Sequence, residues 1–220
     1  MKKAIVLFLA MLIMCMPVLS IANTTSFSDL KTLQYDKDGK ILKDKNGKYI
    51  YADHWAASEI MMLTQIGLID GFPDGTFRPD DTITKGEYIK MIIILATNRS
   101  FMFDEAKLGE HWARPYVKVA EIQGVLEKNQ YTDDELDQPI NRIEMVSILS
   151  KIQIKMKNIA QNREGELNYI DIAYLTNDEK DMLLHAARYG LLEGMLDDLE
   201  FKPYKNLTRA EATVSIIRIY

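Results

Sequence analysis

Three short motifs place a hydrogen-bonding cap, a cation and a carboxylate in the same order: Thr84-Lys85-Gly86-Glu87, Asn141-Arg142-Ile143-Glu144 and Thr208-Arg209-Ala210-Glu211. Thr or Asn followed three residues later by Glu starts a helix. The cap side chain accepts from a free N–H of the first turn, and after Thr84 and Thr208 the Glu can bond back to the cap's own N–H. That duty accounts for the glutamates. It does not account for Lys85, Arg142 and Arg209, which fall at the first helical position, where the macrodipole disfavours positive charge. Something negative must lie near each of them. It is either an anionic ligand, held by the cation and the helix's free N–H groups together, or the carboxylate of a neighbouring segment.

A second constellation is aromatic. Trp55 and Trp112 are the two tryptophans of the chain, and each is preceded by His and followed by Ala. Each Trp is either the core anchor of its own helix or an aromatic face at a groove, where a ring supports sugar C–H groups and its N–H meets a hydroxyl.

The elements that carry these residues repeat. Trp55 to Glu87 and Trp112 to Glu144 are equal intervals, as are Gly67 to Glu87 and Gly124 to Glu144. Gly190 to Glu211 is one residue longer, which places an insertion near Asp197-Asp198. Each repeat reads as helix, loop, helix. In the first, Trp55, Ile60, Leu63 and Ile66 lie near helical spacing and Gly67 supplies the stop. The glycines of Gly71-Phe72-Pro73-Asp74-Gly75-Thr76-Phe77 suit a tight loop. A second helix starts at Thr84 and buries Ile89, Ile92, Ile93 and Ala96. The second repeat offers Val117, Ala120 and Ile122, then Met145, Ile148 and Leu149; the third offers Leu183, Leu184 and Ala187, then Val214, Ile216 and Ile217. A lone helix pair cannot bury its apolar stripe, so the three are expected to pack about a shared centre as an all-α fold.

Residues 30–51 break the helical pattern. Asp36-Lys37-Asp38-Gly39-Lys40 and Asp44-Lys45-Asn46-Gly47-Lys48 are turn signals on either side of Ile41-Leu42, so a hairpin-like insertion is expected in the first repeat. Neither turn places acidic ligands at the first, third and fifth positions of a calcium loop. The polar segment Lys155 to Glu166 is a linker or a solvated extension of the helix before it.

At the N-terminus, Lys2-Lys3, an apolar run from Ala4 to Leu19 and the small residues Ser20 and Ala22 make a secretory signal peptide over residues 1–22. The run is shorter than the ~20 residues of a bilayer span. The repeats then occupy 23–98, 99–157 and 158–220, in an exported chain with no membrane segment after cleavage. Cys15, the single cysteine, lies inside the signal, so the mature chain is expected to hold no disulfide, thiolate metal site or cysteine nucleophile. The net charge of −5 and the lack of a basic cluster argue against nucleic acid as partner. No cofactor and no metal are expected, since His54, His111 and His185 lack ligand spacing. A secreted hydrolase would need a carboxylate pair. The available pairs, Asp80-Asp81, Asp133-Asp134 and Asp197-Asp198, all fall in loops between helices and read as turn residues.

Gly71-Phe72-Pro73-Asp74-Gly75-Thr76-Phe77-Arg78-Pro79 followed by Ile83-Thr84-Lys85-Gly86-Glu87 resembles the signature of S-layer homology domains, and Thr208-Arg209-Ala210-Glu211 resembles that family's Thr-Arg-Ala-Glu motif. The resemblance covers residues from Phe27 to Tyr220. It implies a pseudo-threefold spindle of three helical prongs, and non-covalent anchoring to a cell wall or S-layer through an anionic secondary cell wall polymer or peptidoglycan-linked glycan. That polymer is often pyruvylated and is held in grooves between repeats. By position, the implied ligand contacts are Lys85, Arg142 and Arg209, with Trp55, Trp112, Gly71 and Asp74 beside them. Three departures bear on the grooves. Lys85 lacks the bidentate fork of Arg, the acidic stretch Glu127 to Asp137 would repel an anion, and the third repeat has no Trp. One or two competent grooves are therefore expected. Two alternatives accompany this reading, a secreted wall-associated hydrolase and a truncated anchor of a longer enzyme. The residues do not decide the oligomeric state.

Overall fold

A computed structural model describes residues 27–34, 36–38, 40–48, 50–98, 106–192 and 199–219. The signal peptide expected at residues 1–22 and the insertion expected near Asp197-Asp198 lie outside the described residues. Among those described, the chain is mostly helical, with seven α-helices and one two-stranded ribbon. It divides into two compact units, one running to Pro79 and the other spanning Asp80–Ile219.

The first unit opens with a short 3-10 turn, Ser28–Leu30, followed by β1 (Lys31–Leu33), which pairs antiparallel with β2 (Tyr51–Asp53). Between them lie two copies of one turn. In each, an aspartate Oδ1 accepts two backbone N–H groups: Asp36 from Asp38 and Lys40, each at 2.9 Å, and Asp44 from Asn46 at 2.8 Å and Lys48 at 2.9 Å. The copies are eight residues apart and are tied by a closed ring of backbone bonds. Gln34 N–H donates to Ile50 O (2.9 Å), Ile50 N–H to Leu42 O (3.1 Å) and Leu42 N–H to Gln34 O (2.8 Å).

Helix α1 (Ala57–Gln65) follows and buries Ile60 and Leu63. It starts two residues after Trp55, which is 60% exposed, so the core-anchor reading of that side chain does not hold. Ala56, fully buried, takes the inward place. The helix ends as the sequence suggests. Gly67 adopts φ +62°, and Leu68 N–H reaches back to Leu63 O at 2.9 Å.

The second unit holds α2 (Lys85–Ala96), α3 (Arg114–Ile122), the single turn α4 (Asp133–Leu136), α5 (Arg142–Lys151), α6 (Asn177–Arg188) and α7 (Arg209–Ile217). A π-helical turn, Ile152–Met156, continues α5, so the linker segment begins in part as an extension of that helix. Gly124 (φ +69°) and Gly190 (φ +72°) end α3 and α6 with the same back-bond as Gly67, Val125 N–H to Ala120 O (2.8 Å) and Leu191 N–H to Ala186 O (3.0 Å).

The residues just before α2, α5 and α7 meet at one point. Ile83 N–H donates to Leu207 O (3.2 Å), Leu207 N–H to Ile140 O (3.0 Å) and Ile140 N–H to Ile83 O (3.1 Å), closing a ring through one residue of each repeat. All three side chains are buried. A second layer runs the opposite way round the three segments. The N–H of Lys85 goes to Gln138 O, that of Arg142 to Lys205 O and that of Arg209 to Asp81 O, at 2.8–3.0 Å. A helix leaves its first N–H groups without intrahelical partners, and here each repeat supplies the acceptor for another.

Some expected core positions are exposed. Ile122, the last residue of α3, is 78% exposed, and Ala187 of α6 faces solvent. In α6 the buried stripe is Met182, Leu183, His185 and Ala186. A count of apolar residues passes over His185, which is buried because both of its ring nitrogens have partners. Asn162 N–H donates to Nδ1 (3.2 Å), and Nε2 lies 3.1 Å from Gln153 Oε1.

Candidate functional site

The three helix starts all form full capping boxes, including the one at Asn141, where Glu144 Oε2 accepts the cap N–H at 3.0 Å. Two further boxes, Thr132 with Glu135 and Thr176 with Glu179, open α4 and α6. Their Thr-x-x-Glu signal is plain in the sequence.

The capping carboxylates do more than cap. Each gives Oε2 to its own helix start and Oε1 to a cation from elsewhere. Glu87 Oε1 lies 3.3 Å from Arg209 Nη1, Glu144 Oε1 is 3.1 Å from Lys85 Nζ, and Glu211 Oε1 is 2.8 Å from Lys205 Nζ. Of the two negative partners open to Lys85 and Arg209, the structure has the neighbouring repeat's carboxylate. Lys85 Nζ also donates to Pro139 O (3.1 Å) and sits 5.8 Å from the Tyr131 ring centre. Arg142 is different. Only 4% exposed, it turns inward, donates from Nε to Phe201 O at 2.8 Å and lies 5.3 Å from that ring's centre.

Beside the starts of α5 and α6 is an open concavity of about 300 Å³, lined by residues that include Tyr131, Glu144, Lys151, Asp178 and Glu179. Its lysine lies 3.7 Å from Asp178. Three carboxylates against one cation favour hydroxyl donors over an anion there. Burial first, then the Glu144 charge, pushes the Tyr131 hydroxyl well above the usual tyrosine range, so it stays protonated and can donate.

The two tryptophans are mounted alike. Ala56 N–H donates to His54 Nδ1 (3.2 Å), and Ala113 N–H donates to His111 Nδ1 (3.1 Å). The His–Trp ring centres are 5.5 and 5.2 Å apart, both at 38°. Trp112 is 45% exposed, while Ala113 is fully buried. Acidic residues of the second repeat serve this corner. Asp133 accepts His111 N–H (3.2 Å) and pairs with Arg114, whose hydrogen bond is the first cause of its lowered pKa, and Asp137 Oδ1 lies 3.0 Å from His111 Nε2. Trp55 borders a cleft of about 390 Å³ with Lys31, Asp53, His54, Ser58 and Met61.

Gly71 and Asp74 have local work. A Cβ on Gly71 would stand 2.1 Å from the Phe27 ring and 2.6 Å from Thr76 O, so the chain has no room for one. Asp74 accepts from the Thr76 hydroxyl (2.6 Å) and N–H (3.0 Å) and pairs with Arg78 (2.9 Å). The Thr76 hydroxyl first, and then Arg78, holds its carboxyl at about 2. The Arg78 guanidinium lies 3.8 Å above the Phe72 ring centre.

Two aspartates outside the expected set carry the Phe-Arg-Pro and Phe-Lys-Pro corners. Asp29 accepts the N–H of Phe77 (2.9 Å) and of Arg78 (2.6 Å), and Asp171 accepts those of Phe201 (2.9 Å) and Lys202 (2.7 Å). Arg78 and Lys202 both have positive φ, +58° and +56°, a backbone strain that the two N–H bonds to one carboxylate offset. The shared signal is aromatic-x-Asp-aliphatic, Phe27 to Leu30 and Tyr169 to Ile172. Rings pack beside both, Phe27 on Phe77 at 5.4 Å and Tyr169 on Phe201 at 6.0 Å.

Residues 50–89 match the family described as the S-layer homology domain. Over 201 residues the chain is 26% identical to an amylopullulanase of Thermoanaerobacterium thermosulfurigenes, covering 88% of this chain and 10% of that protein. It is 29% identical over 120 residues to a cellulosome-anchoring protein of Acetivibrio thermocellus, 49% of this chain and 26% of that one. It is also 27% identical over 172 residues to the S-layer protein EA1 of Bacillus anthracis, 73% of this chain and 18% of the relative. The chain thus spans about a quarter or less of each of these relatives.

Proposed function

We propose that this chain, which carries an S-layer homology domain at residues 50–89, attaches non-covalently to the bacterial cell wall by binding an anionic polymer in grooves between its repeats. The observation that carries the reading is the pair of solvent-facing tryptophans, held in repeat-equivalent positions by the same His–backbone corner. An indole left open at both positions offers the apolar face and N–H donor that a sugar ring needs. The relatives add a second argument. A chain segment similar to proteins named as an amylopullulanase, a cellulosome-anchoring protein and an S-layer protein is more readily a shared attachment device than a shared hydrolase.

The three repeats are read as a pseudo-threefold spindle, which the closed ring through Ile83, Ile140 and Leu207 supports. Lys85 and Arg209 are the proposed charge contacts, while the carboxylate-lined concavity at Glu144 is read as taking the polymer's uncharged hydroxyl groups. A ligand carboxylate or phosphate would take the place of the capping Glu oxygen that each now meets. Arg142 contributes least, because its guanidinium is committed to Phe201. Asp74 and Gly71 act by shaping the loop rather than by touching ligand. Purified wall polymer titrated into the protein should quench the indole fluorescence saturably, and Arg209→Ala with Lys85→Ala should weaken that binding. An unchanged affinity in a folded double variant would remove the charge contacts from this account.

A further inference from the structure

The ribbon between β1 and β2 is not part of the helix-loop-helix pattern, and it has a charge of its own. On a chain of net charge −5, residues 31–48 hold six lysines and three aspartates, a local basic stretch that corrects the expectation of no basic cluster. Two of the aspartates, Asp36 and Asp44, are spent on turn geometry, each Oδ1 accepting two backbone N–H groups. The lysines occur in register: Lys37 with Lys45, and Lys40 with Lys48, eight residues apart on the two copies of the turn. The ring through Gln34, Leu42 and Ile50 fixes both copies in one small scaffold, so these cations are presented as matched pairs rather than on a loose loop. All four are exposed, and among the described residues none of them forms an ion pair.

We infer that this ribbon is a second contact surface, for a polyanion bearing phosphate or carboxylate groups at regular intervals. Four ammonium groups on a hydrogen-bonded double turn suit an extended, multiply charged chain. Lysine, a strongly hydrated point charge, suits loose electrostatic contact more than bidentate recognition. The surface would draw the polymer in and add to the salt-sensitive part of attachment. That the polyanion is a wall polymer rests on the function proposed above; the ribbon's affinity for polyanions does not.

The test uses the whole protein with defined probes, linear polyphosphate and polygalacturonate, in low-salt buffer and again with strong screening. The variant replaces Lys37, Lys40, Lys45 and Lys48 by Gln, and its control replaces all four by Arg. The Gln variant should bind at least one probe about tenfold more weakly at low salt, with the gap closing as the Debye length shrinks from ~30 Å to ~3 Å, and the Arg control should restore binding. Which probe responds separates phosphate from carboxylate as the ligand group. Equal binding by the Gln variant and the parent would overturn the inference. So would tighter binding to single-stranded RNA than to polyphosphate of equal charge, since that would mark a nucleic-acid surface. Wall attachment can fail while polyphosphate binding persists, so the two proposals are separable.

Discussion

Arg209 Nη1 lies 3.3 Å from Glu87 Oε1, although the two residues are 122 positions apart in the chain. The first residue of one repeat's helix is thereby neutralised by the capping carboxylate of another, which resolves how a cation is tolerated at a helix N-terminus. Lys85 and Glu144 repeat the arrangement at 3.1 Å. The two pairs make stability and binding interdependent, because the same cations are the proposed ligand contacts.

A double-mutant cycle on Arg209→Ala and Glu87→Gln should return a coupling of about 1 kcal/mol in urea unfolding. The figure sits between exposed and buried pairs because Arg209 is largely buried while Glu87 is not. Additive effects would mean that the pair contributes nothing to folding.

Trp55→Ala should cost little stability, under about 1 kcal/mol, and Trp112→Ala somewhat more, since Trp55 is 60% and Trp112 45% exposed. Ala56→Leu or Ala113→Leu, at fully buried positions, should cost about 1–3 kcal/mol through overpacking. Thermal melts check both, and acrylamide should quench the indole emission of the parent readily. A blue-shifted, poorly quenched emission would contradict the exposed placement.

Gly71→Ala should be destabilising by about 1–3 kcal/mol, because the new methyl meets the backbone carbonyl of Thr76 as well as the Phe27 ring. Gly75→Ala, where nothing lies within 4 Å of a new Cβ, tests the other source of strain, its φ of +79°. Denaturation of Gly71→Ala alongside Gly71→Ala with Phe27→Leu separates the two clashes. Partial recovery is expected in the second.

His185 makes stability depend on pH. Burial depresses its folded-state pKa, so between that value and the unfolded value of about 6.5 the unfolded chain binds the extra proton. Stability is therefore full above about pH 6.5 and falls as pH drops through the folded pKa. Protonation at Nδ1 also removes the acceptor for Asn162 N–H, loosening the linker. The lowered carboxylates, Asp74, Glu110, Asp133 and Glu135, act only further down, as pH falls toward and below their ordinary range. Urea unfolding at pH 7.5 and 5.5 should show a loss that is smaller in His185→Gln. An equal loss in both would assign the effect elsewhere.

The starts of α2, α5 and α7 were legible in the sequence from a Thr or Asn cap with its Glu, and the stops of α1, α3 and α6 from a glycine taking positive φ after the last turn; α1 and α3 begin after Ala56 and Ala113, which make no side-chain cap. The partners of Lys85 and Arg209 were legible only as alternatives, since the choice between ligand and carboxylate depends on which repeats meet. Trp55 and Trp112 were half read. Their equivalence is a matter of spacing, but their exposure follows from the His ring that takes the Ala N–H and turns the chain so that Ala faces inward. His185 escaped because an apolar count cannot register a polar residue whose two nitrogens are both satisfied. The roles of Asp29 and Asp171 were not legible because each carboxylate serves backbone N–H groups far along the chain, at Phe77 and Phe201, although the aromatic-x-Asp pattern is present in both segments.

The most direct measurement is co-sedimentation of the purified protein with wall sacculi, before and after the anionic polymer is extracted, at an ionic strength that silences the lysine ribbon. The account predicts saturable binding to intact sacculi, its loss on extraction, and a strong reduction for Trp55→Ala with Trp112→Ala in a protein that remains folded. Equal sedimentation with intact and stripped walls would contradict it.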